Sequence, residues 1–151
     1  MSSKTLIGFV GVGVIAGLVF GLYLIDVKNT NQLVFVEGPS LSIVTEKFDF
    51  KRGEEITISV INSGTIPLTF SDSSYGMRIT GLSGMLMYSP ESENSDSKNY
   101  LLQPKEKIEF MWDQIKNDGD PVIEGLYKIH FKGFDPDSNK IEKSTTITIW
   151  K

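Results

Sequence analysis

Residues 5–25 read TLIGFVGVGVIAGLVFGLYLI, and no charge interrupts them. At ~1.5 Å of rise per residue such a run makes a helix of roughly 30 Å, the thickness of a bilayer's hydrocarbon core. The rest of the chain is polar, strand-like and rich in turn signals. The sequence therefore predicts a transmembrane helix over 1–26 (core 5–25), a tether with a first strand over 27–40, and one folded domain over 41–151. Two other readings of the start fit the residues less well. A cleaved secretory signal would have a shorter apolar core and a small-x-small exit, whereas Leu22, Tyr23, Leu24 and Ile25 are bulky. A pilin-type signal would carry Gly or Ala after the basic residue, and here Lys4 is followed by Thr5. With no cysteine in the chain, a lipid-modified cysteine anchor is excluded, and so is a disulfide scaffold.

Gly13, Gly17 and Gly21 lie four apart in this run. On a helix they form one stripe of small residues, which lets two backbones approach closely in lipid. They are the expected helix-packing residues. The expected partners are other membrane proteins or a second copy of the chain through that helix, together with membrane lipid. Lys4 precedes the run, while all 19 acidic residues follow it. The positive-inside bias then favours a cytoplasmic N-terminus and an extracytoplasmic C-terminal domain. A net charge of −4 argues against nucleic acid as a partner.

Beyond the anchor the apolar residues recur with period two, the strand signature. Ile56, Ile58 and Val60 alternate with Thr57 and Ser59; Ile108, Phe110 and Trp112 with Lys107, Glu109 and Met111; Tyr127, Ile129 and Phe131 with Lys128, His130 and Lys132. Ile147 and Ile149 alternate with Thr146 and Thr148. Residues 33–36 and 41–44 read as the opening strand or strands. Turn residues separate the runs: Asn62-Ser63-Gly64, Ser83-Gly84, Asn117-Asp118-Gly119-Asp120-Pro121, and Asp135-Pro136-Asp137-Ser138-Asn139. Seven or eight short strands with almost no helical period predict an all-β, immunoglobulin-like antiparallel β-sandwich. Trp112 and Tyr127 fall on inward faces and are assigned to its core. The stretch SPESENSDSKN over 89–99 has no apolar residue and reads as a mobile surface loop.

Two segments carry a family resemblance. FDFKRGEEITISVINSGTIPLTF combines a Gly-Glu, an alternating strand with a turn at its end, and a Pro before a Leu-Thr-Phe strand. LLQPKEKIEFMWDQIKNDGDPVIEGLYKIHFKG contains Trp112-Asp113-Gln114, Gly119-Asp120-Pro121-Val122 and Gly125-Leu126-Tyr127. Over roughly residues 48–133 the chain resembles the BsuPI-type intracellular proteinase inhibitor domain. The resemblance implies the sandwich fold and raises protease inhibition as a function. An inhibitor would present an exposed rigid loop, for which 71–77 and 89–99 are the candidates.

Catalytic chemistry is poorly supplied, and an enzyme is not expected. His130, the one histidine, sits between Lys128 and Lys132 on an outward strand face, without the partners a Ser-His-Asp set needs. No phosphate loop or His/Cys metal spacing occurs. Asp135, Asp137 and Asn139 stand at positions 1, 3 and 5 of a calcium-type loop, which lacks the Gly at position 6 and has Thr146 at position 12. The segment 113–120 offers further oxygens. Met85 and Met87, with Met77, Met111 and His130, are the only thioether set to weigh for Cu(I); core filling is the commoner use of methionine. No cofactor is expected. Tyr75, Tyr88 and Tyr100 flank the polar 89–99 stretch and are the candidate protein-contact residues. The leading reading is a non-enzymatic single-pass membrane protein that presents a sandwich to a protein partner, as an accessory subunit or envelope adaptor. A tethered inhibitor-like domain and a Ca or Cu binding module are the alternatives.

Overall fold

The computed structural model describes residues 33–91 and 100–151. The predicted anchor, with Gly13, Gly17 and Gly21, lies outside the described residues, as do 92–99. Among the described residues no helix is long and apolar enough to cross a membrane, and every regular element is a strand. Leu33–Lys151 forms one compact unit.

Among the described residues ten strands follow in order: β1 (Leu41–Thr45), β2 (Asp49–Lys51), β3 (Ile56–Asn62), β4 (Leu68–Phe70), β5 (Arg78–Gly81), β6 (Leu86–Tyr88), β7 (Tyr100–Leu102), β8 (Lys107–Trp112), β9 (Gly125–Phe134) and β10 (Lys140–Trp150). The smaller sheet runs β1-β3-β8. The larger runs β2-β10-β9-β4-β7, with β5 also paired to β9 and β6 to β5. All pairs are antiparallel except β2 with β10. The β9–β10 hairpin is the longest ladder, from Lys140 opposite Phe134 to Ile149 opposite Gly125.

The two sheets meet through the alternating residues. Ile56, Ile58 and Val60 of β3 and Ile129, Phe131, Ile147 and Ile149 of β9 and β10 are all buried. Aromatic rings tie one sheet to the other: Phe110 of β8 lies 5.7 Å from Phe131 of β9, and Trp112 lies 6.0 Å edge-on to Tyr127. Each such side chain contributes about 1.5–3 kcal/mol by leaving water. The result is an all-β, sandwich-like core.

Three expectations about the strands are corrected. Residues 33–36 form no strand: only Val36 N–H bonds across, to the Ser63 carbonyl at 2.9 Å, and Val34, Phe35 and Val36 are exposed. The first strand is therefore β1, and 27–40 contributes none among its described residues. Ser59, on the polar side of its alternation, is buried, as is Ile61. β3 is the central strand of its sheet, flanked by β1 and β8, so Ser59 stands between Val44 and Glu109, and it donates to Glu109 at 3.3 Å. The strand number exceeds the seven or eight expected, because β2 and β7 are three residues each, too short to show a period.

At Gly76 the chain passes close to itself. Its φ is +65°, and a Cβ there would stand 2.4 Å from the Lys132 carbonyl oxygen. Only glycine meets both demands. The segment 71–77 is consequently laid down against β9, with Ser74 buried and Tyr75 half-buried.

Candidate functional site

An apolar cleft opens at the end of the sandwich where β6 meets the connection from β8 to β9. Its volume is about 600 Å³. Met85, Leu86 and Met87 form one wall and Pro121, Val122 and Ile123 the other, with Tyr127 between them. Met85 is 64% exposed and Ile123 70%. Leu82, in the same β5–β6 turn as Met85, is also exposed.

Both walls are held by the backbone. In the turn, Gly81 N–H donates to Met85 O at 2.9 Å and Gly84 N–H to Gly81 O at 3.0 Å. The other wall belongs to 113–124, a long connection with little regular structure. Gln114 anchors it. Its side chain is buried, and its Nε2 donates to the carbonyls of Lys51 (2.8 Å) and Glu54 (2.7 Å). Its Oε1 accepts from Gly53 N–H at 2.8 Å. Its own carbonyl accepts from Val122 N–H at 2.9 Å. Trp112 Nε1 donates to Ile115 O at 2.9 Å, and Tyr127 O–H donates to Ile123 O at 2.7 Å. Asp113 and Asp118 accept from the backbone N–H two residues on, at 3.0 Å each, the Asx turn that suits Asp to tight loops. The two walls are joined directly by Asn117 N–H to Met87 O at 3.0 Å and Ser89 N–H to Asn117 Oδ1 at 3.1 Å. The cleft is therefore preformed, so little ordering entropy is left to lose when it is filled.

Its rim is charged. Lys116 lies 2.9 Å from Asp118 and 3.6 Å from Asp120. The hydrogen bond to Asp118 raises the Lys116 pKa and lowers that of Asp118. One lysine against two carboxylates leaves the rim net negative. Burial raises the Tyr127 pKa above its ordinary value, which keeps its O–H a donor across the physiological range.

The expected site residues are distributed differently. Tyr75 and Tyr100 do come together, with ring centroids 5.9 Å apart, and Tyr75 also meets Phe70 at 5.0 Å and Phe110 at 6.2 Å. Tyr88 stacks instead on Trp112 at 6.1 Å. All three are half-buried and pack against the core, so they form its margin more than an outward patch. Asp135 Oδ1 accepts from Asn139 N–H at 2.8 Å and Oδ2 from Asn139 Nδ2 at 3.0 Å. Both its oxygens are thus occupied in closing the β9–β10 turn, while Asp137 is exposed. Of the methionines, Met77 is wholly buried in the core and Met111 is exposed on β8; only Met85 and Met87 converge, on the apolar cleft. The segment 71–77 packs inward against β9, unlike the projecting loop of an inhibitor. The signal for the cleft that sequence reasoning passed over is Val122-Ile123, an apolar pair at the end of a run of turn formers.

No protein-family model matches the chain, and no curated protein sequence matches it. Among solved structures it is similar to PorZ, an essential bacterial surface component of the type-IX secretion system of Porphyromonas gingivalis. The identity is 15% and the TM-score 0.38, over 73% of this chain and 12% of that one. It is also similar to Spo0M, a sporulation control protein from Bacillus subtilis, at 12% identity and TM-score 0.43, over 77% of this chain and 51% of that one. The chain thus spans about an eighth and about half of those proteins. Both likenesses fall below the level at which fold carries function.

Proposed function

We propose that this chain is a non-enzymatic, single-pass membrane protein whose immunoglobulin-like sandwich docks a protein partner outside the cytoplasm, as an accessory subunit or envelope adaptor. The observation that carries the reading is the preformed apolar cleft with Met85, Leu86 and Ile123 standing in water on an otherwise acidic chain. Apolar concavities rimmed by charge are where protein partners insert an anchor residue. The net negative rim at Asp118 and Asp120 favours an apolar anchor with a basic neighbour. The uncharged 5–25 run supplies the membrane attachment, and the glycine stripe a second, weaker contact with a partner helix; tethering makes two modest contacts act together.

The immunoglobulin-like assignment rests on topology and one side chain. β1, β3 and β8 correspond to strands A, B and E, and β4/β5, β9 and β10 to C, F and G. Tyr127, near the start of β9, bonds back to the Ile123 carbonyl, as the tyrosine corner of that fold does.

The test is purification of the full-length protein from its native membrane in mild detergent. A stoichiometric partner is expected, retained by the wild type and lost in Met85→Glu/Ile123→Glu with the melting temperature unchanged. Retention of every copurifying protein by that double variant would sink the docking role of the cleft. Gly17→Leu separates the contribution of the helix.

A further inference from the structure

The outer face of the larger sheet carries a second concavity, of about 400 Å³, built from other residues than the apolar cleft. Its floor is β9, through His130, Lys132 and Phe134. Arg78 and Thr80 of β5 form one wall and Glu142 of β10 another. The segment 71–76 closes a third side, held in place by the approach of Gly76 to the Lys132 backbone.

Cationic side chains gather on this face. Arg78 stands directly opposite His130 in the β5–β9 ladder, and Lys132, on the same face of β9, stands opposite Glu142 of β10. Among the described residues neither Arg78, Lys128 nor Lys132 forms an ion pair; Glu142 is paired to Lys140, and Asp72 is turned to Ser74. Lys132 rests over the Phe134 ring at 5.4 Å. His130 Nε2 lies 3.1 Å from Thr80 Oγ1, which fixes the ring's orientation toward the cavity wall.

We propose that this concavity binds an oxyanion, a phosphate or carboxylate group of a small ligand, between Arg78, His130 and Lys132. The guanidinium fork of Arg78 matches the paired oxygens of either group, and Lys132 supplies a point charge. Phe134 offers an apolar wall to whatever carries the group. The volume, at the lower end for ligand pockets, admits the anionic group and a few further heavy atoms.

The charged groups facing His130 are Arg78 from β5, Lys128 and Lys132 from β9, Glu142 from β10 and Asp72 from the 71–77 segment. Burial first, then the Lys128 charge, lowers the His130 pKa, and Glu142 opposes them. An oxyanion seated beside the ring reverses that balance, so binding takes up a proton and strengthens as pH falls.

Because His130 is the single histidine, carbon-13 labelling at histidine Cε1 gives one resonance in the full-length protein in mild detergent. Its titration is followed between pH 5 and 8 in sodium chloride, inorganic phosphate or acetate at equal ionic strength. The expected result is a saturable upward shift of the His130 midpoint, by about half a unit or more, in phosphate, in acetate or in both; which salts do it identifies the oxyanion. Arg78 is exposed, so Arg78→Ala is expected to leave the melting temperature unchanged and weaken the binding about tenfold or more. Arg78→Lys should retain part of it, and Lys132→Ala serves as the second loss variant. A midpoint in phosphate and acetate equal to that in chloride overturns the proposal, and so does a shift that Arg78→Ala and Lys132→Ala leave intact.

Discussion

Gln114 should be among the most sensitive positions outside the apolar core. Its buried amide completes three hydrogen bonds to a neighbouring turn, at 2.7–2.8 Å. Gln114→Ala removes all three and leaves the Gly53 N–H and the Lys51 and Glu54 carbonyls without that partner. At about 1 kcal/mol for each net bond, the loss is about 3 kcal/mol, or a melting temperature lower by about 10 °C for a domain of this size. The backbone supplies an internal control. Gln114 has φ of +64°, a conformation that costs a residue with a Cβ about 1 kcal/mol and glycine almost nothing. Gln114→Gly should therefore be less destabilising than Gln114→Ala by about 1 kcal/mol, although glycine is ordinarily the worse replacement. Gln114→Glu preserves the shape but puts carboxylate oxygen against two carbonyls, and should be at least as harmful as alanine at neutral pH. Thermal unfolding of the full-length protein, followed by near-ultraviolet circular dichroism through Trp112 and the tyrosines, measures all three. A loss below about 1 kcal/mol for Gln114→Ala, or an alanine variant as stable as the glycine one, would refute the reasoning.

Gly76→Ala should destabilise by about 3 kcal/mol or more, since the added methyl meets the Lys132 backbone and the left-handed φ is retained; a melting temperature within error of the wild type would contradict this. Tyr127→Phe should cost about 1 kcal/mol through the lost bond to Ile123 O, checked by the same unfolding measurement. Glu54, Glu109, Asp118, Asp135 and Glu142 are each held below their ordinary pKa, chiefly by hydrogen bonds from Lys47, Lys107, Lys116, Asn139 and Lys140 in turn. The unfolded carboxylates therefore take up protons first, and the stability these groups supply is complete above about pH 5 and lost as pH falls through their lower folded values. His130, whose folded pKa is also lowered, adds an earlier decline that begins near pH 6.5, where the unfolded ring protonates first. Melting temperature against pH should show both, and His130→Gln should abolish only the earlier one.

Much of the fold was legible because strand period and turn chemistry are local. The alternation in 56–60, 107–112, 127–131 and 146–149 each falls on a strand, and Trp112 and Tyr127 are buried as that alternation requires. The turn clusters at 62–64, 83–84, 117–121 and 135–139 each lie between strands. The short strands β2 and β7 were illegible because they exist through their neighbours: β2 is a strand only because β10 runs beside it in parallel. Ser59 shows the limit of alternation, since its cross-strand neighbours Val44 and Glu109 cover it on the polar face.

The candidate sites were less legible still. The sequence by itself determined which residues face inward along the longer strands, apart from Ser59 and Ile61, because side chains alternate whatever the strand pairs with. It also determined the chain's acidity, its lack of thiol chemistry and the uncharged run near its start. Only the tertiary structure decided what meets across space. It brought Met85 and Met87 to Ile123, separated them from Met77 and Met111, and set Arg78 opposite His130. Those pairs lie dozens of residues apart, and their distance is fixed by sheet order and ladder register, which are properties of the whole packed core.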